Sequence, residues 1–311
     1  MSQTHWTVLG AGSLGCLWAG YLNQAGYPVT LLHRKGVAAP ESLSLTRYNA
    51  VQAESFHAHL TTAPDCLEKS ISRLVVATKA QDALAAVAGI AHALTDNAAI
   101  ILLQNGMGAQ QAIAEKYPDH PVIAVCITDG AYRTDPGHVI HAGQGISRVG
   151  AMNALGKAVQ ADLVNELSKT DLVIESCDDI NQALWNKLAI NIAINGLTAL
   201  YQCLNGELIQ PERYRRVERL CAETESIMRA LQLKLPDNGL LSLARDVIAG
   251  TAQNRSSMLQ DTLKGKITEI DYINGFLIDQ ANRLGIAVPE SQIIFDEVKQ
   301  CFNQPSSKGV V

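Results

Sequence analysis

The 311-residue chain has no apolar stretch near the roughly 20 residues that a bilayer-crossing helix needs, so no membrane partner is expected. It also lacks any long basic run or basic stretch interleaved with aromatics. With a formal net charge of −5, that argues against nucleic acid and anionic membrane surfaces as partners. The opening Met1-Ser2-Gln3-Thr4-His5-Trp6 lacks the cationic and apolar regions of a signal peptide, so a cytoplasmic protein is expected. Seven cysteines (Cys16, Cys66, Cys126, Cys177, Cys203, Cys221 and Cys301) are odd in number and never form C-x-x-C. This excludes a disulfide framework and a cysteine zinc site, leaving reduced thiols packed as small apolar groups. His138 and His141 lie in an alternating β-type stretch, where a spacing of three puts them on opposite faces and not together on a metal. There is no internal repeat and no low-complexity tract.

What is present is ordinary globular material, with 47% hydrophobic and 18% charged residues, enough to build sizeable cores. The length suits two modest domains. In the first half, apolar runs at 6–9, 29–33, 74–78, 99–103 and 122–127 read as buried strands, and 14–25, 82–94 and 110–117 as helices between them. Strand alternating with helix predicts a parallel sheet covered on both faces. Residues 139–141 and 146–149, joined through Gly143-Gln144-Gly145, are expected to form an antiparallel hairpin at the far end of that sheet, followed by a helix over 157–168 and a short strand over 172–175. Beyond about Asp179 the periodicity becomes helical, over 181–200, 211–231, 239–249, 266–284 and 289–302, and the tail 304–311 is expected to fray. The predicted fold is therefore α/β, with an N-terminal Rossmann-type dinucleotide-binding domain over 1–178 and a C-terminal all-helical domain over 179–311.

Gly10-Ala11-Gly12-Ser13-Leu14-Gly15 fits G-x-G-x-x-G, and its context is the informative part: a strand precedes it and an amphipathic helix follows. Gly10 permits the tight turn, Gly12 lets backbone approach a pyrophosphate, and Gly15 allows close helix–strand packing. The pyrophosphate would sit on the free N–H groups and positive end of the helix. An NAD enzyme usually places a carboxylate at the end of the second strand, to accept from the ribose 2′-hydroxyl. Here that strand ends His33-Arg34-Lys35, with no carboxylate until Glu41. A guanidinium at this point suits a 2′-phosphate, so NADP is favoured over NAD, the alternative being that Arg34 is a solvated charge. Lys79 follows Val75-Val76-Ala77-Thr78 at a carboxyl strand end, where ligands collect in open α/β sheets. Asn105-Gly106 occupies the equivalent place one strand on, either as an amide that binds nicotinamide or substrate or as a plain turn.

In the helical half, Lys187, Asn191 and Asn195 recur every four residues and stack on one side of a helix that is otherwise almost wholly apolar. Asparagine is a mediocre helix former, and a buried amide without partners costs free energy. Two of them in line with a lysine suggest a polar slot facing a ligand, against the alternative of a solvated stripe. Asn254-Arg255-Ser256-Ser257-Met258-Leu259-Gln260-Asp261 offers hydroxyls and amides, and Thr268-Glu269-Ile270-Asp271-Tyr272-Ile273-Asn274-Gly275 offers carboxylates. Taken alone, each segment is equally a helix cap or a solvated face.

With these pieces assembled, the chain resembles the ketopantoate reductase family nearly end to end. The likeness is carried by Val8–Gly15, Asn105-Gly106-Met107-Gly108, Leu184-Trp185-Asn186-Lys187-Leu188-Ala189-Ile190-Asn191, Asn205-Gly206-Glu207-Leu208, and the two blocks containing Ser257 and Glu269. The resemblance implies an active site in the cleft between two domains and reduction of a small 2-oxo acid by NADPH, ketopantoate to (R)-pantoate on the path to pantothenate. Lys187 matches the family's catalytic lysine, which protonates the ketone oxygen, and Glu269 a carboxylate that orients substrate and cofactor. Asn191 and Asn195 match amides that hold the substrate's hydroxyl end, and Ser257 the hydroxyl on its carboxylate. Asn105 matches an amide near nicotinamide and substrate, while Arg34 and Lys79 match basic residues around the 2′-phosphate. Many members follow the lysine that Lys79 matches with an aromatic and then a glutamine, where this chain has Gln81-Asp82. Three alternatives stay open: a reductase of another 2-oxo acid on the same scaffold, a 6-phosphogluconate-type dehydrogenase, which would lack the 256–261 block, and a catalytically silent NADP-binding sensor. Monomer and homodimer are equally compatible with the sequence.

Overall fold

The computed structural model describes residues 4–34, 40, 42–62 and 70–303. Met1 to Gln3, Lys35, Glu41, Cys66 and the tail 304–311, all named above, lie outside the described residues. The chain divides into two compact units, one within Met1–Gln104 and Ala109–Ala183, the other within Asn105–Gly108 and Leu184–Val311. Among the described residues, no helix is long and apolar enough to cross a membrane.

The first unit contains strands β1 (Trp6–Leu9), β2 (Val29–Leu32), β3 (Leu43–Thr46), β4 (Glu54–Phe56), β5 (His59–Thr61), β6 (Ile71–Val76), β7 (Leu94–Leu102), β8 (Val122–Ile127), β9 (Gly130–Arg133), β10 (His138–Gly143), β11 (Ser147–Ala151) and β12 (Ile174–Ser176). Its helices are α1 (Ser13–Gln24), α2 (Ala80–Ile90), α3 (Ala109–Lys116) and α4 (Ala154–Leu167). An eight-stranded sheet runs β12-β11-β8-β7-β6-β1-β2-β5, parallel from β5 to β8, with β11 antiparallel to β8. The central parallel strands β7 and β8 carry buried apolar runs, Ala98–Leu102 and Val122–Ile127, as burial on both faces demands. A second sheet, β4-β3-β10-β9, was not expected from the sequence. Helix α1 contacts strands of both sheets (β1 and β2 of one, β3, β4, β9 and β10 of the other), which explains why Gly15 through Leu22 are all buried. That double cover fixes the start of α1, and with it the glycine loop.

The expected hairpin over 139–149 is not formed. β10 belongs to the small sheet and β11 to the large one. The actual turn is Thr134-Asp135-Pro136-Gly137, where the Asp135 carboxylate accepts from the backbone N–H of Gly137 (2.9 Å) and His138 (2.8 Å). From it β9–β8 and β10–β11 run back as a paired ribbon that bends between sheets at Thr128-Asp129 and Gly143–Gly145. Gly145 is glycine because a Cβ there would lie 2.3 Å from the Thr128 carbonyl carbon, a close approach and not a turn. The bend is held by a buried polar knot. Asp129 lies 3.0 Å from His141 Nε2, accepts from Gly145 N (3.0 Å) and Ser147 Oγ (3.1 Å), and the other His141 nitrogen meets the Tyr21 hydroxyl at 2.8 Å. Burial pushes the Asp129 carboxyl up, but the hydrogen bonds from His141 and Gly145 outweigh it and hold it below its ordinary value.

The second unit is built on α5 (Ile180–Tyr201), inside which the division of the chain falls. It continues through α6 (Pro211–Ala230), α7 (Gly239–Gly250), α8 (Ser257–Leu263), α9 (Asn274–Leu284) and α10 (Pro289–Phe302). The periodicity over 266–284 is not one helix. α8 closes at Leu263, where the N–H groups of Lys264 and Lys266 both return to the Asp261 carbonyl at 3.1 and 2.9 Å. A short 3-10 turn, Ile270–Tyr272, then precedes α9. Glu223 on α6 caps α10, accepting from Glu290 N (2.6 Å) and Ser291 N (2.8 Å) at the positive end of that helix. Leu188, Ala189, Ile192, Ala193 and Leu197 bury α5 in this core.

Candidate active site

In the first unit the candidate cofactor groups gather at the carboxyl ends of β1, β2 and β6. Gly10 has φ +111, and a Cβ on it would stand 2.9 Å from Thr78 N; one on Gly15 would stand 1.8 Å from the Gly10 carbonyl oxygen. These two glycines let the turn lie flat against the β6 end. Gly12 is different, because a Cβ there would meet nothing closer than the Ala77 carbonyl oxygen at 3.9 Å. It is the N-cap of α1 and offers no side-chain cap, so Ser13, Leu14 and Gly15 begin the helix without a side-chain acceptor from that position. Arg133 on β9 braces the loop, donating from Nη1 to the Ala11 carbonyl at 2.7 Å, a residue for which the sequence carried no signal. Thr78 Oγ1 is buried without a hydrogen-bond partner beside the loop. Open space at Gly12, an uncapped helix start and an orphaned hydroxyl fit a dinucleotide pyrophosphate.

Arg34 follows β2, and its side chain is 75% exposed. It is not a solitary charge, since Nη2 lies 3.0 Å from the Asp82 carboxylate in the first turn of α2. Lys79 is the N-cap residue of that helix. Gln104, just beyond β7, donates to the carbonyls of Val76 (2.9 Å) and Thr78 (3.2 Å) and so fixes the backbone leading into Lys79.

In the second unit, Lys187 and Asn191 are half-buried on α5 and Asn195 is buried, 5% exposed. The stripe therefore runs from a partly accessible end into the core. Asn191 Nδ2 donates to Asn105 Oδ1 at 2.9 Å, joining two residues 86 apart in sequence. The 105–108 segment is held from the other side by Met107 N donating to the Tyr272 carbonyl at 2.8 Å. A Cβ at Gly106, φ +77, would sit 2.4 Å from that same carbonyl oxygen, so only glycine permits the approach. Glu269 is half-buried and begins the turn in which Tyr272 N returns to its carbonyl at 3.0 Å. Asn105, Asn191 and the Glu269–Tyr272 turn are thus one hydrogen-bonded assembly, on the helix that carries Lys187.

Ser257 is exposed at the first position of α8. The neighbouring Ser256 is the one joined to α5: it accepts from Thr198 Oγ1 at 2.7 Å and caps α8 through Leu259 N at 3.1 Å. That cap aligns the start of α8 with the turn of α5 below Asn195.

The family model for "Ketopantoate reductase PanE/ApbA" matches residues 6–154, and its C-terminal counterpart matches residues 179–302. A 2-dehydropantoate 2-reductase of Vibrio cholerae serotype O1 is 33% identical over 298 residues, covering 94% of this chain and 96% of its own. One from Yersinia pestis is 34% identical over 302 residues, covering 94% of each. Among solved structures, a PanE/ApbA family ketopantoate reductase from Ralstonia eutropha JMP134 superposes with a TM-score of 0.88 at 26% identity, over 96% of this chain and 99% of that one. A D-mandelate dehydrogenase, solved with NADH and anilino(oxo)acetate, shares the fold at a TM-score of 0.86 and 20% identity, over 96% of this chain and 98% of that one. With both family models matched in order along nearly the whole chain, and glycine loop and α5 stripe each built as described, the chain belongs to the ketopantoate reductase family.

Proposed function

We propose that the chain is an NADPH-dependent 2-dehydropantoate 2-reductase, converting ketopantoate to (R)-pantoate. The observation that carries the proposal furthest is the Asn191–Asn105 hydrogen bond at 2.9 Å on the helix that bears Lys187. It fixes the orientation of one amide of the polar stripe and leaves its lysine one turn away on the same face. Bound NADPH supplies a hydride to the ketone carbon. Lys187 donates the proton that the ketone oxygen takes up, so the alcohol forms with charge balanced. A positioned lysine suits this task because an ammonium both polarises a carbonyl and can surrender a proton to it.

Asn191 and Asn195 supply amide donors and acceptors to the substrate's hydroxyl end, and Ser257 a hydroxyl donor to its carboxylate. Glu269 would repel that carboxylate, so it is assigned to the substrate hydroxyl or a donor on the cofactor. Gly10 to Gly15 cradle the pyrophosphate, Arg34 and Lys79 the 2′-phosphate, and Asn105 the nicotinamide side. In domain terms, residues 1–178 are assigned to NADP and 179–311 to substrate and catalysis.

The test is oxidation of NADPH by purified protein against a panel of 2-oxo acids, including ketopantoate, its analogue without the hydroxyl, and an aromatic 2-oxo acid. Ketopantoate is expected to give the highest kcat/KM, by about tenfold over the analogue without the hydroxyl if one ordinary hydrogen bond is lost. A higher kcat/KM with another 2-oxo acid would move the assignment to a sister reductase. Tight NADPH binding without turnover of any acid would make the chain a dinucleotide sensor.

A further inference from the structure

We propose that Asp82 is a cofactor-discriminating residue, which weakens the grip of Arg34 on a 2′-phosphate and supplies an acceptor for the 2′-hydroxyl of NADH. This rests on the assignment of the first unit to a nicotinamide dinucleotide. A carboxylate at the end of the second strand is what binds the ribose diol in NAD enzymes, while an arginine there accommodates the 2′-phosphate. Here the strand end itself offers Arg34, and the carboxylate arrives from elsewhere. Asp82, in the first turn of α2, reaches across 48 residues of sequence to within 3.0 Å of the Arg34 guanidinium.

Both features of the ribose site are therefore present at one point. An incoming 2′-phosphate must displace Asp82 from Arg34 and then bear its negative charge nearby. An incoming 2′-hydroxyl needs no such displacement and finds an acceptor in place. The pair is open to solvent, with side chains 75% and 46% exposed, so it is weak enough to be broken by a phosphate dianion but not without effect. The predicted result is a reductase that accepts both dinucleotides, preferring NADPH by less than Arg34 and Lys79 alone would give.

The experiment is equilibrium binding of NADPH and of NADH, followed by quenching of tryptophan fluorescence, to wild type, Asp82→Asn and Asp82→Gln at low and at high salt. Both variants should tighten NADPH about three- to tenfold and weaken NADH about two- to fivefold. The gain for NADPH should shrink at high salt, because it is a charge effect at an exposed site. An unchanged ratio of the two affinities in both variants, or both affinities moving in the same direction, would overturn the inference while leaving the reductase assignment intact. Failure of wild type to bind either dinucleotide would overturn both.

Discussion

Gly12 and Gly15 stand three residues apart in one loop, yet alanine should damage them in opposite ways. At Gly15 the new Cβ would be driven to 1.8 Å from the Gly10 carbonyl oxygen and 3.2 Å from the Ala77 Cβ. The first obstacle is backbone, pinned by Gly10 N donating to the Leu32 carbonyl at 2.9 Å, so it cannot swing aside. Relief needs a shift of α1 against β1 within a close-packed core, at a cost in the upper part of the roughly 1–3 kcal/mol found for overpacking, or beyond it. Gly12→Ala meets nothing within 3.9 Å, and φ −77 is comfortable for alanine, so stability should hold or rise slightly, by about 0.4–1 kcal/mol. The same methyl group would occupy the space through which a pyrophosphate reaches the α1 N–H groups. Losing one or two hydrogen bonds to a charged group, about 1.5–3 kcal/mol each, would weaken NADPH by at least about tenfold. Thermal melts and fluorescence titration with NADPH, run on both variants, separate the outcomes. A Gly12→Ala protein that binds NADPH normally would refute the placement of the pyrophosphate, and one that melts early would refute the open space described for it.

Arg34→Ala should weaken NADPH by about 1.5–3 kcal/mol in the same titration and leave NADH nearly unaffected, whereas equal losses would mean a general structural part. Asp129→Asn should cost about 1.5–3 kcal/mol at neutral pH by chemical denaturation. Because the folded carboxyl is held below its ordinary 3.8, its contribution is fully present above that pH and is lost as pH falls through the lowered folded value, so the gap between wild type and variant should close in acid. Ser257→Ala should mainly raise KM for ketopantoate, about tenfold, while Glu269→Ala should damage both KM and kcat and Glu269→Gln fall between; steady-state kinetics decides, and normal KM in both alanine variants would remove these segments from the substrate site.

The strands Trp6–Leu9 and Val122–Ile127 and the helix α1 were legible because each is a sustained apolar run or carries its own boundary glycines. The small sheet was not. β4 is three residues with a single buried position, too short for alternation to declare itself, and β3 pairs with β10 across about ninety residues. In sequence Gly143-Gln144-Gly145 reads as a turn because glycine serves both a positive φ and a close backbone approach, and only the position of Thr128 against Gly145 tells them apart. Thr134-Asp135-Pro136-Gly137 did carry a turn signature, and it is where the ribbon reverses. For the candidate site, a spacing of four was enough to align Lys187, Asn191 and Asn195, since that register is local to a helix. The partners Asn105 for Asn191, Asp82 for Arg34 and Arg133 for Ala11 are fixed only by tertiary packing, and one sequence carries no trace of such pairings.

Lys187→Ala decides whether this lysine is the proton donor in reduction of ketopantoate by NADPH. The measurement is kcat with ketopantoate alongside NADPH affinity in the same preparation. kcat should fall by about two to four orders of magnitude, the usual contribution of a positioned general acid, while NADPH affinity changes little. Near-normal kcat in the variant would mean that another group donates the proton.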